Sequence, residues 1–173
     1  MTGASRGLGK AIVDALSSSD WIVVAICRPP LRPSVWKSAE DVQTVVHDVR
    51  SDDTDALMAV IGQRPVDLLI NNAAQGAKYQ PLGSVAMAGI LDAVDVNAAG
   101  PLRLVQALLP NLLRASDPLI INITSRLGSL SAQARGDFSD LSTSYAYKIS
   151  KAAQNMLSVA LAQDLQVAHS LGW

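Results

Sequence analysis

The sequence predicts an α/β protein built on a doubly wound parallel sheet. Three observations predict it. Short, β-branched apolar runs of strand length alternate with patterns of helical period. A glycine-rich segment stands immediately ahead of the first helical pattern. A chain of 173 residues, 49% hydrophobic and 17% charged, suits one globular domain.

Taken in order, the first helix is expected over 9–18, with Ala11, Ile12, Ala15 and Leu16 on one face. Residues 21–27 are apolar throughout and fit a strand covered on both sides. Pro29-Pro30-Leu31-Arg32-Pro33 reads as a stiff surface connection. A second strand is expected over 42–46, ended by His47 and Asp48. The helix expected over 53–63 starts with acids, which favour a helix N-terminus. Pro65 introduces a third strand over 66–70, and Pro118 a fourth over 119–123. Helices are expected over 86–97 and 98–113; Pro101 fits a first turn, whereas Pro110 should bend or end the second helix. Residues 130–142 read as a polar loop, and 144–165 as the last long helix. Sheets of this kind bind ligands at the carboxyl ends of their strands.

Composition narrows the function. A net charge of −1 leaves no basic surplus for a phosphate backbone, and 4% aromatic residues leave little for base stacking, so nucleic acid is not an expected partner. Cys27 is the one cysteine and His47 and His169 the two histidines, which excludes an internal disulfide and argues against a metal centre. The chain shows no basic start followed by an apolar run, and its longest clean apolar run, 21–27, is far too short to span a bilayer. The expectation is a cytoplasmic protein without a membrane partner.

Four motifs carry chemistry. In Thr2-Gly3-Ala4-Ser5-Arg6-Gly7-Leu8-Gly9 the glycines allow a tight turn and close backbone approach to a pyrophosphate, with helix N–H groups aimed at the anion. The spacing is G-x-x-x-G-x-G, and a plain glycine turn before a helix fits it equally well. Asn71-Asn72-Ala73-Ala74 ends the third strand; paired asparagines can satisfy loop backbone beside a ligand or simply form an Asx turn. Tyr147 and Lys151 stand four apart and share a helix face, where an ammonium favours a phenolate suited to acid/base work. Tyr145 has Ile149 at the matching position and lacks such a partner. Ser125, just past the fourth strand, can donate to a substrate carbonyl or cap the next turn.

Along the chain the glycine motif, Asn71-Asn72-Ala73, Asp95-Val96-Asn97, Ser125 and then Tyr147-x-x-x-Lys151 follow in an order that resembles the short-chain dehydrogenase/reductase family along essentially the whole chain. Residues 144–153 and the segment Ile123-Thr124-Ser125-Arg126-Leu127-Gly128-Ser129 look most like its C-factor and sniffer-type carbonyl reductase branch. The resemblance implies a Rossmann-like fold and an oxidoreductase moving a hydride between NADP(H) and a carbonyl or alcohol. Tyr147 would exchange the proton, Lys151 would support it and hold the nicotinamide ribose, Ser125 would orient the carbonyl, and Asn97 would support a water joining Lys151 to solvent. Gly3, Ser5, Arg6, Gly7 and Leu8 would line the phosphates, Asp48 and Val49 the adenine, with Asn72 and Ala73 nearby. NADP(H) is expected over NAD(H): Cys27-Arg28 follows the strand at 21–27 with no acid there, and Arg6 and Arg28 can hold a 2′-phosphate. The family also implies pairing of subunits through helices 98–113 and 144–165.

The chain departs from the family in four places. Ala74 replaces a usual glycine; Ser125 and Tyr147 are 22 positions apart (147 − 125), longer than usual, with the extra residues in 130–142; only Met1 precedes the glycine motif, where the family has an apolar strand; and no strand or substrate segment follows the last helix. The expected sheet therefore lacks its first and last strands, and the chain alone should be a poor catalyst and marginally stable as a monomer. A catalytically impaired paralogue, kept for nucleotide binding or assembly, is the alternative to an enzyme.

Overall fold

The computed structural model describes residues 1–28, 42–142 and 144–170, with side chains up to 165. The proline-rich connection at 29–33 lies outside the described residues. They form two compact units: residues 1–73 with 103–121, and residues 74–102 with those from 122 onward.

The first unit carries the sheet. Helix α1 (Gly7–Ser17) leads to β1 (Val23–Cys27), which pairs in parallel with β2 (Val42–Val46), Val23 opposite Val42 and Cys27 opposite Val46. Helix α2 (Asp55–Ile61) follows, starting on an acid as expected, and β3 (Leu68–Asn71) pairs with β4 (Leu119–Asn122). Between these two ladders lies the chain start. Thr2 bridges Ile26 in parallel; Thr2 N–H donates to Ile70 O at 3.0 Å and Ile26 N–H to Met1 O at 2.8 Å. The order across the unit is thus β2, β1, residues 1–4, β3, β4. The glycine segment lies at the ends of β1 and β3. Ala25, Ile26, Val13, Leu57, Leu69, Leu104 and Leu108 form the core.

Residues 21–27 are not covered on both sides along their length. Trp21 is 39% and Ile22 63% exposed, and β1 begins only at Val23. On this side the bridge is Thr2 with Ile26, and no ladder among the described residues reaches Trp21 or Ile22.

In the second unit, α3 (Met87–Val94) runs into a π-helical turn (Asp95–Ala99) and then α4 (Gly100–Leu112), which continues into the first unit. Pro110 lies inside α4 and does not end it at once: two residues follow, and only then does the last turn give way. The expected polar loop at 130–142 contains a short helix, α5 (Leu130–Ala134), whose N-cap Ser129 accepts the Ala132 N–H. That local hydroxyl cap supplies what a polar composition does not advertise. A 3-10 turn (Arg126–Gly128) precedes it, and α6 (Tyr145–Ser170) closes the chain, with Ser144 Oγ accepting the Tyr147 N–H at 3.1 Å. Helix α6 packs against α3, the π turn and the 3-10 turn.

Candidate functional site

The glycine segment is built around Thr2 and Asn72. Thr2 Oγ1 accepts the N–H groups of Asn72 at 3.0 Å and Ala73 at 2.9 Å, and Asn72 Nδ2 donates to the carbonyls of Thr2 (3.1 Å) and Gly3 (3.2 Å). The asparagine thus satisfies loop backbone directly. Gly3 (φ +63°) and Gly9 cannot carry side chains: a Cβ on Gly3 would lie 2.8 Å from Ala73 Cα, and one on Gly9 2.2 Å from Gly3 O. Gly7 (φ +54°) differs, because its missing Cβ faces open space at the start of α1. No side chain caps that helix start, and Arg6, Gly7 and Leu8 are exposed there, with Ser5 half-buried. An anion can approach the first N–H groups of α1. These features fit a pyrophosphate.

At the ends of β1 and β2, Arg28 is exposed, Val49 is buried and Asp48 is half-buried. Asp48 is bound by Arg50, Nη2 to Oδ2 at 2.8 Å and backbone N–H to Oδ1 at 3.0 Å. Arg50 hydrogen bonding, reinforced by the charge of Arg28, holds the Asp48 carboxyl down to about 2. Arg28 therefore stands close enough to Asp48 for the two charges to interact.

The second unit holds the four predicted catalytic positions. Lys151, 1% exposed, donates from Nζ to Ile123 O at 2.8 Å and to Gln154 Oε1 at 2.7 Å. Its Nζ lies 5.7 Å from the centroid of the Tyr147 ring, within cation–π range. Desolvation brings its ammonium down to about 8. Tyr147 is half-buried, whereas Tyr145 and Ile149 are exposed.

Asn97 is fully buried in the π turn. Its Oδ1 accepts the Gln75 N–H at 2.6 Å, and its Nδ2 donates to Gln75 O and Ser150 Oγ, both at 2.9 Å. Ser150 in turn donates to Tyr147 O at 2.9 Å. The side chain is thereby tied to the helical turn that bears Tyr147 and Lys151. Ser125, extended at the N-cap of the 3-10 turn, accepts the Leu127 N–H at 3.2 Å; it caps the turn, and its own O–H is still a donor.

Three contributors have no counterpart in the sequence reading. Gln154, fully buried, holds Lys151, and its Nε2 is left without a partner. Ser150 joins Asn97 to α6. Gly128 lets the 3-10 turn lie on α6: a Cβ there would stand 2.6 Å from the Lys151 carbonyl carbon. A polar residue three positions from Lys151 and a glycine three after Ser125 were the available signals. Among the described residues no cluster of three or more His, Cys, Asp or Glu could hold a metal, and no helix is long and apolar enough to cross a membrane.

A glycine segment pinned to a strand end, a sheet with helices and a Tyr/Lys pair on one helix define a doubly wound α/β chain of the dinucleotide-binding type. The sequence profile described as short chain dehydrogenase matches residues 1–169, and the chain belongs to that family. It is 40% identical over 102 residues to C-signal of Myxococcus xanthus, covering 59% of this chain and 58% of C-signal, less than two thirds of that relative. Among solved structures, the NADPH-bound carbonyl reductase from chicken fatty liver superposes with a TM-score of 0.84 at 26% identity, covering 95% of this chain and 72% of the other. The carbonyl reductase Sniffer of D. melanogaster gives 0.82 at 27% identity, covering 95% and 73%.

Proposed function

We propose that this chain carries the cofactor-binding and proton-transferring residues of an NADP(H)-dependent carbonyl reductase or alcohol dehydrogenase. The observation that carries the reading is the Tyr147–Lys151 pair, with Lys151 buried beside the ring and anchored at Ile123 and Gln154. NADP(H), when bound, supplies or accepts the hydride. Tyr147 gives its phenolic proton to the carbonyl oxygen in reduction and takes it back in the reverse direction. The Lys151 ammonium favours negative charge on that phenol oxygen and holds the nicotinamide ribose. Ser125 orients the carbonyl through its hydroxyl. Asn97 fixes the turn bearing Tyr147 and Lys151 through Ser150 and supports the water between Lys151 and solvent.

Gly3, Ser5, Arg6, Gly7 and Leu8 line the phosphates, Asn72 and Ala73 hold that loop, and Asp48 and Val49 flank the adenine. Arg6 and Arg28 take the 2′-phosphate. The open Gly7 face and the uncapped start of α1 support this placement. The NADPH in the chicken enzyme is in keeping with the same choice of cofactor. A titration with NADPH and NADH, followed by turnover on aromatic and aliphatic carbonyls, tests the reading. Tighter NADPH binding with measurable reduction is the expected result; absence of nucleotide binding overturns it.

The exposed apolar side chains Tyr145, Ile149, Met156 and Val159 on α6, with Leu102 on α4, favour a second role in assembly. In that reading two copies pair through helices 98–113 and 144–165. Nucleotide binding without turnover would instead mark a catalytically impaired nucleotide-binding chain, and absence of nucleotide binding would favour the assembly role.

A further inference from the structure

Tyr147, Lys151 and Gln154 stand at i, i+4 and i+7 on α6 and form one stripe along it. Side chains on a helix lean toward its N-terminus, which carries Lys151 toward Tyr147 and Gln154 toward Lys151. We propose that Gln154 is a positioning residue for Lys151: its neutral oxygen fixes the nitrogen beside Tyr147 without offsetting the ammonium charge that acts on the phenol. The proposal rests on Tyr147 and Lys151 forming the proton-transferring pair.

The bonding separates position from charge. An ammonium has three donors and no acceptor. Lys151 Nζ gives one to Ile123 O at 2.8 Å and one to Gln154 Oε1 at 2.7 Å. Both acceptors are uncharged. The ammonium also settles which way the amide points, because only its oxygen can accept. That orientation leaves Nε2 with no partner among the described residues, in a side chain that is 0% exposed. A buried donor left unpaired costs stability, so packing by itself gives no reason for an amide here. An apolar side chain of this length would fill the space, and a carboxylate would bond the nitrogen more strongly. A neutral acceptor does what neither can: it holds the nitrogen and leaves its charge uncompensated.

The surrounding charges leave that role to Gln154. Helix α6 packs against α3, the π turn and the 3-10 turn, whose charged side chains are Asp92, Asp95 and Arg126; on α6 itself the neighbouring titratable groups are Tyr147 and Lys148. Asp92 accepts from Gln75 Nε2, and Arg126 lies 5.2 Å from the centre of the Phe138 ring. The lowering of Lys151 to about 8 has burial as its cause, not any of these charges.

The experiment titrates Lys151 by NMR of its side-chain nitrogen, without nucleotide or substrate, in the parent, Gln154→Met and Gln154→Glu. Loss of an acceptor for the charged form should lower the titration in Gln154→Met. An added opposite charge should raise it in Gln154→Glu by roughly one pH unit or more. In turnover the alkaline limb of kcat/KM should move in the same order. The plateau kcat of Gln154→Glu should fall at least about tenfold, because its carboxylate offsets the charge that supports the phenol. An unmoved Lys151 titration in both variants overturns the proposal, whatever their turnover. So does an equal loss of kcat at every pH in the two variants, the mark of a merely structural amide. The titration needs neither nucleotide nor carbonyl, so a failure of nucleotide binding, which refutes the functional reading, is told apart from a failure of this one.

Discussion

Lys151 reaches back along α6 to place its Nζ 5.7 Å from the centroid of the Tyr147 ring, while Ile123 and Gln154 hold that nitrogen from the other side. The pair is thus fixed by both the helix and the segment after β4. Replacing Tyr147 with Phe keeps the ring and removes the proton, and carbonyl reduction should fall by about 10² to 10⁴. Tyr145→Phe, at an exposed position, should leave the rate unchanged. Steady-state kinetics of the two variants separates the roles; equal activity of Tyr147→Phe and parent would refute the assignment.

The same lysine predicts a pH dependence of stability. Its folded value, about 8, lies below the ordinary 10.5 because of desolvation. Between these values the unfolded chain binds more protons than the native one, so this group makes stability rise with pH from about 8 to 10.5. Below about 8 both states are protonated and the full penalty of burying the charge remains. Denaturation of parent and Lys151→Met across this range should show the parent gaining on the variant as pH rises. A pH-independent difference would contradict the burial.

Thr2 serves two amides with one hydroxyl oxygen. Thr2→Val leaves both N–H groups without it, at about 1–3 kcal/mol each where water cannot replace it. Gly9→Ala drives a methyl to 2.2 Å from Gly3 O and must displace the glycine segment. Both variants should melt earlier and bind NADPH more weakly. Unchanged nucleotide affinity in Gly9→Ala would separate the glycine segment from the nucleotide.

Arg28→Ala should weaken NADPH binding and leave NADH binding nearly unchanged, since only the former presents a 2′-phosphate. It should also let the Asp48 carboxyl rise, because Arg28 contributes to holding it low. Fluorescence titration of both nucleotides gives the comparison, and an equal loss for each would count against the 2′-phosphate contact.

Periodicity was enough to locate the four strands found among the described residues and the main helices, because buried apolar runs and amphipathic faces are written directly in residue order. The positions of Tyr147 and Lys151 on one helix face were legible for the same reason. The partners of Lys151 were not: Gln154 and Ile123 become neighbours only when α6 packs beside the segment after β4. The exposure of Trp21 and Ile22 was hidden as well, since an apolar run does not show which of its residues pair with a neighbouring strand. The short helix at Leu130–Ala134 depends on one capping hydroxyl, a signal too local for composition to carry.

The wide turn at Asp95–Ala99, closed by Gly100 N–H onto Asp95 O, sets an angular phase. An α-helix advances about 100° per residue, so the additional residue taken up by a π turn offsets α4 from the course α3 would otherwise continue. Asn97 reaches Ser150 only at the azimuth this offset gives it. Pro101, two residues after the turn, has no N–H to give to any of its carbonyls. Losing one residue within the turn would rotate the rod beyond it by about 100°, so changes of length belong at the ends of this rod, before Met87 or after Leu112, rather than within those five residues.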